Sequence, residues 1–350
     1  MIDRMAAAAL CAGLLVLLSP PSPARAQTSQ RWLLAISKSD HTLAMVDPGS
    51  LQVAARFPVG PDPHEVTVSA DGRTAYVSNT GAGLLHQIDV IDLDARKVLP
   101  SIDTGPFLGP HGLAYVDGKL WFTAQGAKAV ARYDPEARRV DWTIGTGQDV
   151  THMIHVSQDA RRIYTTNVDS GTVSLLEFQE LPQRIPPSGV VPAVARPRME
   201  WVQTLVPSET GAEGFDVSPD GRELWAATPR GAVRIIDLVA KAPAATIEAH
   251  VPGLHRLKFT PDGQRVLVVS IRTGDLLVYD AKSRQEVKRL RIGHGAGMMI
   301  DAKGNRAYIS CTPDNYISVI DLGSLEEVAR IDAGARPDGT VMAETPSKAP

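Results

Sequence analysis

Cysteine is nearly missing from this 350-residue chain: Cys11 and Cys311 are the whole complement. Cys11 falls in a segment that reads as a removable leader, so the mature chain keeps one thiol and cannot close an internal disulfide. Its fold must therefore rest on burial and strand pairing even in an oxidising compartment. No Cys-x-x-Cys-His sequence occurs, which excludes covalent attachment of a c-type haem in the usual way. No run of Lys or Arg occurs either, and the formal net charge is −3. That balance argues against a dedicated nucleic-acid groove or a patch for an anionic membrane. Beyond the first 26 residues no apolar stretch is long enough to span a bilayer.

What is present at the N-terminus is the pattern of a secretory signal. Arg4 supplies the positive end, Ala6 to Leu18 form a short apolar core, and Pro20, Pro21 and Pro23 break any helix. Ala24-Arg25-Ala26 has the small-x-small form of a cleavage site. Leu10 before Cys11 is a poor fit to a lipoprotein site. Residues 1–26 are expected to be a signal peptide cut after Ala26, which makes the mature protein periplasmic or secreted.

The rest of the chain repeats. Val66–Asn79, Ile154–Asn167, Phe215–Thr228, Leu257–Ser270 and Met298–Cys311, with the shorter Leu113–Ala124, each read as strand, tight turn, strand. Asp-Gly or Lys-Gly at the turn tolerates the positive φ that a tight hairpin demands. A second hairpin follows, its turn opened by Asp47, Asp92, Asp134, Asp237, Asp280 or Asp321. Thirteen residues after each comes Gly60, Gly105, Gly147, His250, Gly293 or Gly334. The unit is four antiparallel strands in about 42–46 residues, the size of a propeller blade. One interval is longer because of a proline-rich loop insertion over 182–197, which cannot be regular strand.

Six blades are complete from Pro61 onward. Arg336–Ala343 matches an inner strand and Trp32–Gly60 the outer three, so the two ends are expected to join as a seventh. The reading is an all-β, seven-bladed β-propeller over 27–350, with no free sheet edge and a monomeric state.

The strand ends Tyr76-Val77-Ser78-Asn79, Tyr164-Thr165-Thr166-Asn167 and Tyr308-Ile309-Ser310-Cys311 resemble the repeat of the YVTN β-propeller family. The resemblance covers essentially the whole mature chain. It implies a periplasmic seven-bladed propeller; the family includes binding proteins, lactonase-like enzymes and propellers associated with quinoprotein or cytochrome systems. It implies no particular reaction.

Five residues before the serine, or its equivalent, that ends each inner strand stand His64, His111, His152, Glu213, His255, Ala296 and Asp338. Equivalent repeat positions point toward one axis, so a sequence-distant set becomes a ring. Neutral imidazole with carboxylate suits copper, zinc or iron, and protonated histidines would suit an anionic ligand. Structural histidines, each bonded to a neighbouring blade or to channel water, would give the same pattern. No His-x-His or Glu-x-x-His spacing adds local support. His294 lies two residues before Ala296. Cys311 is expected at the ring's face, as a soft-metal ligand with His294 or His255 or as a small buried hydrophobe. Lys38, Asp40, Asn79, Gln125, Asn167, Asp169, Arg230, Arg272, Asp275, Asp314 and Asn315 are candidate rim residues.

Three functions fit. One is a periplasmic binding or accessory propeller that engages a small ligand, a metal or a redox or other protein partner. Another is a metal-dependent lactonase- or lyase-type enzyme, with Glu213 as general base or ligand and His64, His111, His152, His255 and Asp338 around the metal. The third is a copper or iron redox protein.

Overall fold

The computed structural model describes residues 29–182 and 198–346. The expected signal peptide and all but the first residue of the proline-rich insertion lie outside them. Among the described residues, 28 strands form seven antiparallel sheets of four strands each. These are the seven blades of a propeller. Blade 1 spans 63–103, blade 2 110–145, blade 3 151–207, blade 4 215–248, blade 5 254–291 and blade 6 295–331. Blade 7 combines the last strand, Pro337–Pro346, with the first three, Ser29–Ser37, Thr42–Val46 and Val53–Pro58. Ser29 pairs with Pro346 and Ser37 with Pro337, so the chain ends close the ring as expected. No helix among the described residues is long and apolar enough to cross a membrane.

The burial pattern explains why these sequences stack radially. Second strands such as Thr74–Asn79 and Arg265–Ser270 are buried on both faces, whereas outer strands such as Arg139–Gly145 alternate exposed and half-buried residues. A strand between two neighbouring blades must be apolar on both sides, and a peripheral one only on its inner side. Blade 7 shows the division residue by residue. Trp32, Leu34 and Ile36 pack with blade 1, and the alternate Leu33 and Ala35 pack with blade 6. Each of the seven interfaces between neighbouring blades has its own apolar cluster. Trp121 and Trp225, at matching repeat positions, fill the interfaces between blades 2 and 3 and between blades 4 and 5.

The turn chemistry matches the repeat with two exceptions. Gly72, Gly118, Gly221 and Gly263 take positive φ in the first hairpin, but Asn305 rather than Gly304 does so in blade 6, and Ala160 in blade 3. Asparagine tolerates the left-handed region; alanine adopts it at a cost. The second-hairpin aspartates cap the turn, as where Asp47 accepts from Gly49 N at 2.7 Å and Asp280 from Ser283 N at 2.7 Å. His250, standing where most blades have glycine, is left-handed at φ 55°. The hairpin that the insertion interrupts is the longest, with ten residues in each of Thr172–Leu181 and Arg198–Pro207.

Candidate functional site at the channel mouth

Six of the seven innermost strands shift register around the ring position: between Pro63 and Val66, Pro110 and Leu113, Thr151 and Ile154, Leu254 and Arg256, Gly295 and Gly297, and opposite Ala35 to Ser37 in blade 7. A bulge re-aims the extra residue and ends regular pairing. Here it re-aims the ring residues into a single cavity of about 480 Å3 at the channel mouth. His64, His111, His152, Glu213, His255, Ala296 and Asp338 all line it. Of the candidate rim residues Lys38 and Gln125 line it too, joined by Asp62, Thr80, Arg256, Thr312 and Arg336.

Hydroxyls hold this geometry across blade interfaces. Ser78 donates to the His111 carbonyl at 2.7 Å, Thr123 to His152 at 2.5 Å, Thr166 to Glu213 at 2.7 Å and Ser310 to Asp338 at 2.6 Å. Each belongs to the second strand of the preceding blade, and Ser78, Thr166 and Ser310 are the third residues of the tetrads quoted above. The repeat therefore carries a positioning role in its hydroxyl position, a signal that the sequence offered but that points across the interface rather than along the chain.

The ring divides into two paired halves. On one side His64 Nε2 lies 3.0 Å from Asp62 and 2.8 Å from the Lys38 ammonium, while Lys38 stands 3.4 Å from Asp338. The hydrogen bond from His64, with its charge and that of Lys38, holds the Asp62 carboxyl well below the usual carboxylate range. On the other side His255 Nε2 donates to Glu213 Oε2 at 2.9 Å, and His152 Nε2 is 3.7 Å from the same oxygen. His255 Nδ1 is anchored on the Ala296 carbonyl at 3.0 Å. Burial disfavours both charges of the pair, but their contact wins: the His255 imidazolium is favoured and the Glu213 carboxyl is drawn down. Between the halves, the His111 and His152 rings lie against each other with centroids 3.7 Å apart and planes tilted by 34°, and His111 Nε2 is 3.2 Å from His64 Nδ1. Burial pushes His111 far below the ordinary histidine value and His152 down to about 3, so both are neutral imidazoles. Their Nδ1 atoms are buried without a protein partner. Among the described residues no group of three or more His, Cys, Asp and Glu side chains is arranged to hold a metal ion.

The floor of the mouth is built by the residues that follow the ring positions, and sequence reasoning missed it. In blades 1, 3 and 5 these are Glu65, Met153 and Arg256; in blades 2, 4, 6 and 7 they are Gly112, Gly214, Gly297 and Gly339. The buried Arg256 donates to Glu65 Oε1 at 2.7 Å and to the Ala296 carbonyl at 3.2 Å, and its Nη1 meets the Met153 sulfur. These groups span the axis and separate the mouth from a second chamber of about 380 Å3, with Arg256 in the wall of both. The glycines let neighbouring inner strands approach: a Cβ at Gly214 would overlap the His255 carbonyl and stand 2.8 Å from Arg256 Cα. Gly214→Ala is accordingly expected to destabilise by about 2 kcal/mol or more, since backbone cannot yield as a flexible side chain does. Chemical denaturation of the two proteins checks it.

Other candidates fall elsewhere. Asn79 and Asn167 are buried rather than on the rim, bonded to Asp89 at 2.9 Å and to Ser174 at 2.9 Å. His294 is held by Asp314 at 3.0 Å and does not line the mouth. Cys311 is fully buried in the interface between blades 5 and 6, and burial pushes its thiol up to about 12. It is therefore a packed thiol, not the thiolate that a soft metal requires.

No family model matches this chain. Among curated proteins it is similar to hydrazine synthase subunit beta of Kuenenia stuttgartiensis, 24% identical over 162 residues, 38% of this chain and 42% of that protein. The match thus spans less than half of the relative's length. Among solved structures it is similar to Kuenenia stuttgartiensis hydrazine synthase, with TM-score 0.64, 20% identity, and coverage of 80% of this chain and 89% of the other. A structure titled as the dihydro-haem d1 dehydrogenase NirN in complex with DHE gives TM-score 0.61 at 17% identity, covering 92% and 77%. A putative 6-phosphogluconolactonase from Bacteroides uniformis gives 0.67 at 14%, covering 90% and 100%. At these identities the likenesses establish the β-propeller fold, and it is as a seven-bladed propeller that the chain is identified.

Proposed function

We propose that this chain is a periplasmic or secreted binding propeller of the YVTN type, whose mouth engages a small polar ligand or the polar group of a protein partner. The observation that carries this reading is the convergence of six polar ring side chains, each set in a bulge or held by a neighbouring blade, on one cavity of about 480 Å3. Cavities of that size suit small ligands. Arg256 and Glu65 meet beneath this cavity, between the mouth and the second chamber.

A hydrolytic role for Glu213 has less support. A general base works best with a pKa near the working pH, and the His255 contact draws Glu213 the other way. A second reading, a copper, zinc or iron centre using His64, His111, His152, His255 and Asp338, draws on the neutral state of His111 and His152, the form of imidazole that binds metals. The names of the similar proteins, a hydrazine synthase and a haem d1 dehydrogenase, agree with a redox partner for either reading.

The test is native mass spectrometry of the untagged protein, exported with its own leader, against a His64→Ala/His111→Ala/His152→Ala variant. A bound small molecule is expected in the first and absent from the second while folding persists; a bound metal instead would favour the second reading. Equal spectra would remove the mouth as the binding site. Turnover of lactones that Glu213→Gln abolishes without lowering Tm would replace the binding reading with an enzymatic one.

A further inference from the structure

Lys38 was one residue among many on the rim; its surroundings give it a distinct role. Its backbone N–H donates to the Arg336 carbonyl at 3.1 Å, which fixes the residue to the entry of blade 7's inner strand. From there the side chain reaches inward, with 18% of its surface exposed. The ammonium stands 2.8 Å from His64 Nε2 and 3.2 Å from His64 Nδ1, 3.4 Å from Asp338 Oδ2 and 3.7 Å from Asp62 Oδ1. His111 Nε2 lies 3.2 Å from the same His64 Nδ1, and Asp338 Oδ2 lies 3.8 Å from it.

These separations have a meaning in coordination chemistry. Two ligands of one tetrahedral zinc ion, each at about 2.0–2.1 Å, stand about 3.3 Å apart. His64 Nδ1 and His111 Nε2 already have that spacing. The gap on the Asp338 side is wider, and it is there that the lysine ammonium inserts. We propose that Lys38 is the selectivity determinant of the mouth: a tethered cation that holds the place of a divalent metal among His64, His111 and Asp338. This half of the ring then excludes metal ions.

Two physical arguments support the role. A divalent ion at that point would lie within a few ångströms of a fixed positive charge, and in a half-buried site such a repulsion is weakly screened. The ammonium is also flanked by two carboxylates, those of Asp62 and Asp338, as a bound cation would be. The inference rests on the reading of the mouth as a binding site. Zinc alone is used as the probe, so the result is independent of whether a native ligand is ever recovered.

The experiment compares metal-free wild type, Lys38→Met, Lys38→Arg and the double variant Lys38→Met/His64→Ala by calorimetric titration with Zn2+. Lys38→Met is expected to take up about one Zn2+ per chain more than wild type and to bind it about 100-fold more tightly than wild type binds any zinc in this half. Lys38→Arg should behave as wild type, and the double variant should lose the extra ion. Co2+ should give a visible d–d band in Lys38→Met that is absent from the double variant. Wild type binding the same ion as tightly as Lys38→Met would overturn the proposal. So would a Lys38→Met protein that melts like wild type and takes up no additional zinc. Should Lys38→Met melt early, Lys38→Gln, which keeps a polar head group, is read by the same two criteria.

Discussion

A chain ending at Gly334 is expected to lose cooperative folding altogether, although it keeps six complete blades. The deleted strand, Pro337–Pro346, is the inner strand of blade 7 and, among the described residues, the partner on that side of Ser29–Ser37. It is also tied to blade 6, where Thr312 donates to the Pro337 carbonyl at 2.5 Å and Ser310 to that of Asp338 at 2.6 Å. Its Gly339 lies against the His64 carbonyl of blade 1, where a Cβ would approach to 2.5 Å. Removing it therefore opens two blade interfaces at once and frees a strand edge. Native domains have about 5–15 kcal/mol to lose in total, and two opened interfaces exceed that margin. The measurement is thermal unfolding followed by circular dichroism. A cooperative transition in the truncated chain would show that six blades suffice. The companion variant is a circular permutant that joins Pro346 to Ser29 by a short linker and opens the chain at the exposed Val239–Ala240 turn. It keeps every interface and is expected to melt close to the wild type.

The ends of the chain were readable as halves of one blade because strand and turn signals are local. Asp-Gly at a hairpin, Asp at the next turn and a glycine thirteen residues on reflect backbone conformations that a few side chains decide. The ring was readable for another reason: equivalent repeat positions must converge on the axis. What escaped the sequence was partnership. Nothing in the order of residues says that Lys38 would stand between Asp62 and Asp338, or that the serine of Tyr76-Val77-Ser78-Asn79 serves the His111 carbonyl of the next blade. Asn79 ends that tetrad and is a rim candidate by sequence; it is fully buried and bonds to the buried Asp89. Contacts that cross a blade interface join residues about one repeat apart, and no local pattern encodes them.

The alternation beneath the ring is the sharpest case, and it carries the second large effect. Glycine follows the ring residue in blades 2, 4, 6 and 7, which leaves the axis to Glu65, Met153 and Arg256 of blades 1, 3 and 5. The guanidinium and the carboxylate meet at 2.7 Å, with side-chain exposures of 5% and 15%. A pair this buried contributes little net stability, because the loss of hydration of both charges offsets most of their attraction. Breaking it is another matter. Arg256→Ala leaves the Glu65 carboxylate facing the axis without its partner and is expected to cost about 3–5 kcal/mol. In a domain of this size that lowers Tm by about 5–7 °C. Replacing both groups by apolar side chains, as Arg256→Met/Glu65→Met, should recover most of the loss, since no unpaired charge remains. Urea denaturation of the wild type, Arg256→Met, Glu65→Met and the double variant forms a closed cycle, with Arg256→Ala measured beside it. A double variant as unstable as Arg256→Ala would mean that Arg256 acts through packing and its bond to the Ala296 carbonyl, not through Glu65. Recovery in the double variant would leave a stable propeller whose two chambers are separated by thioethers instead of charge. The native ligand could then be tested against a mouth of the same shape without the positive charge beneath its floor.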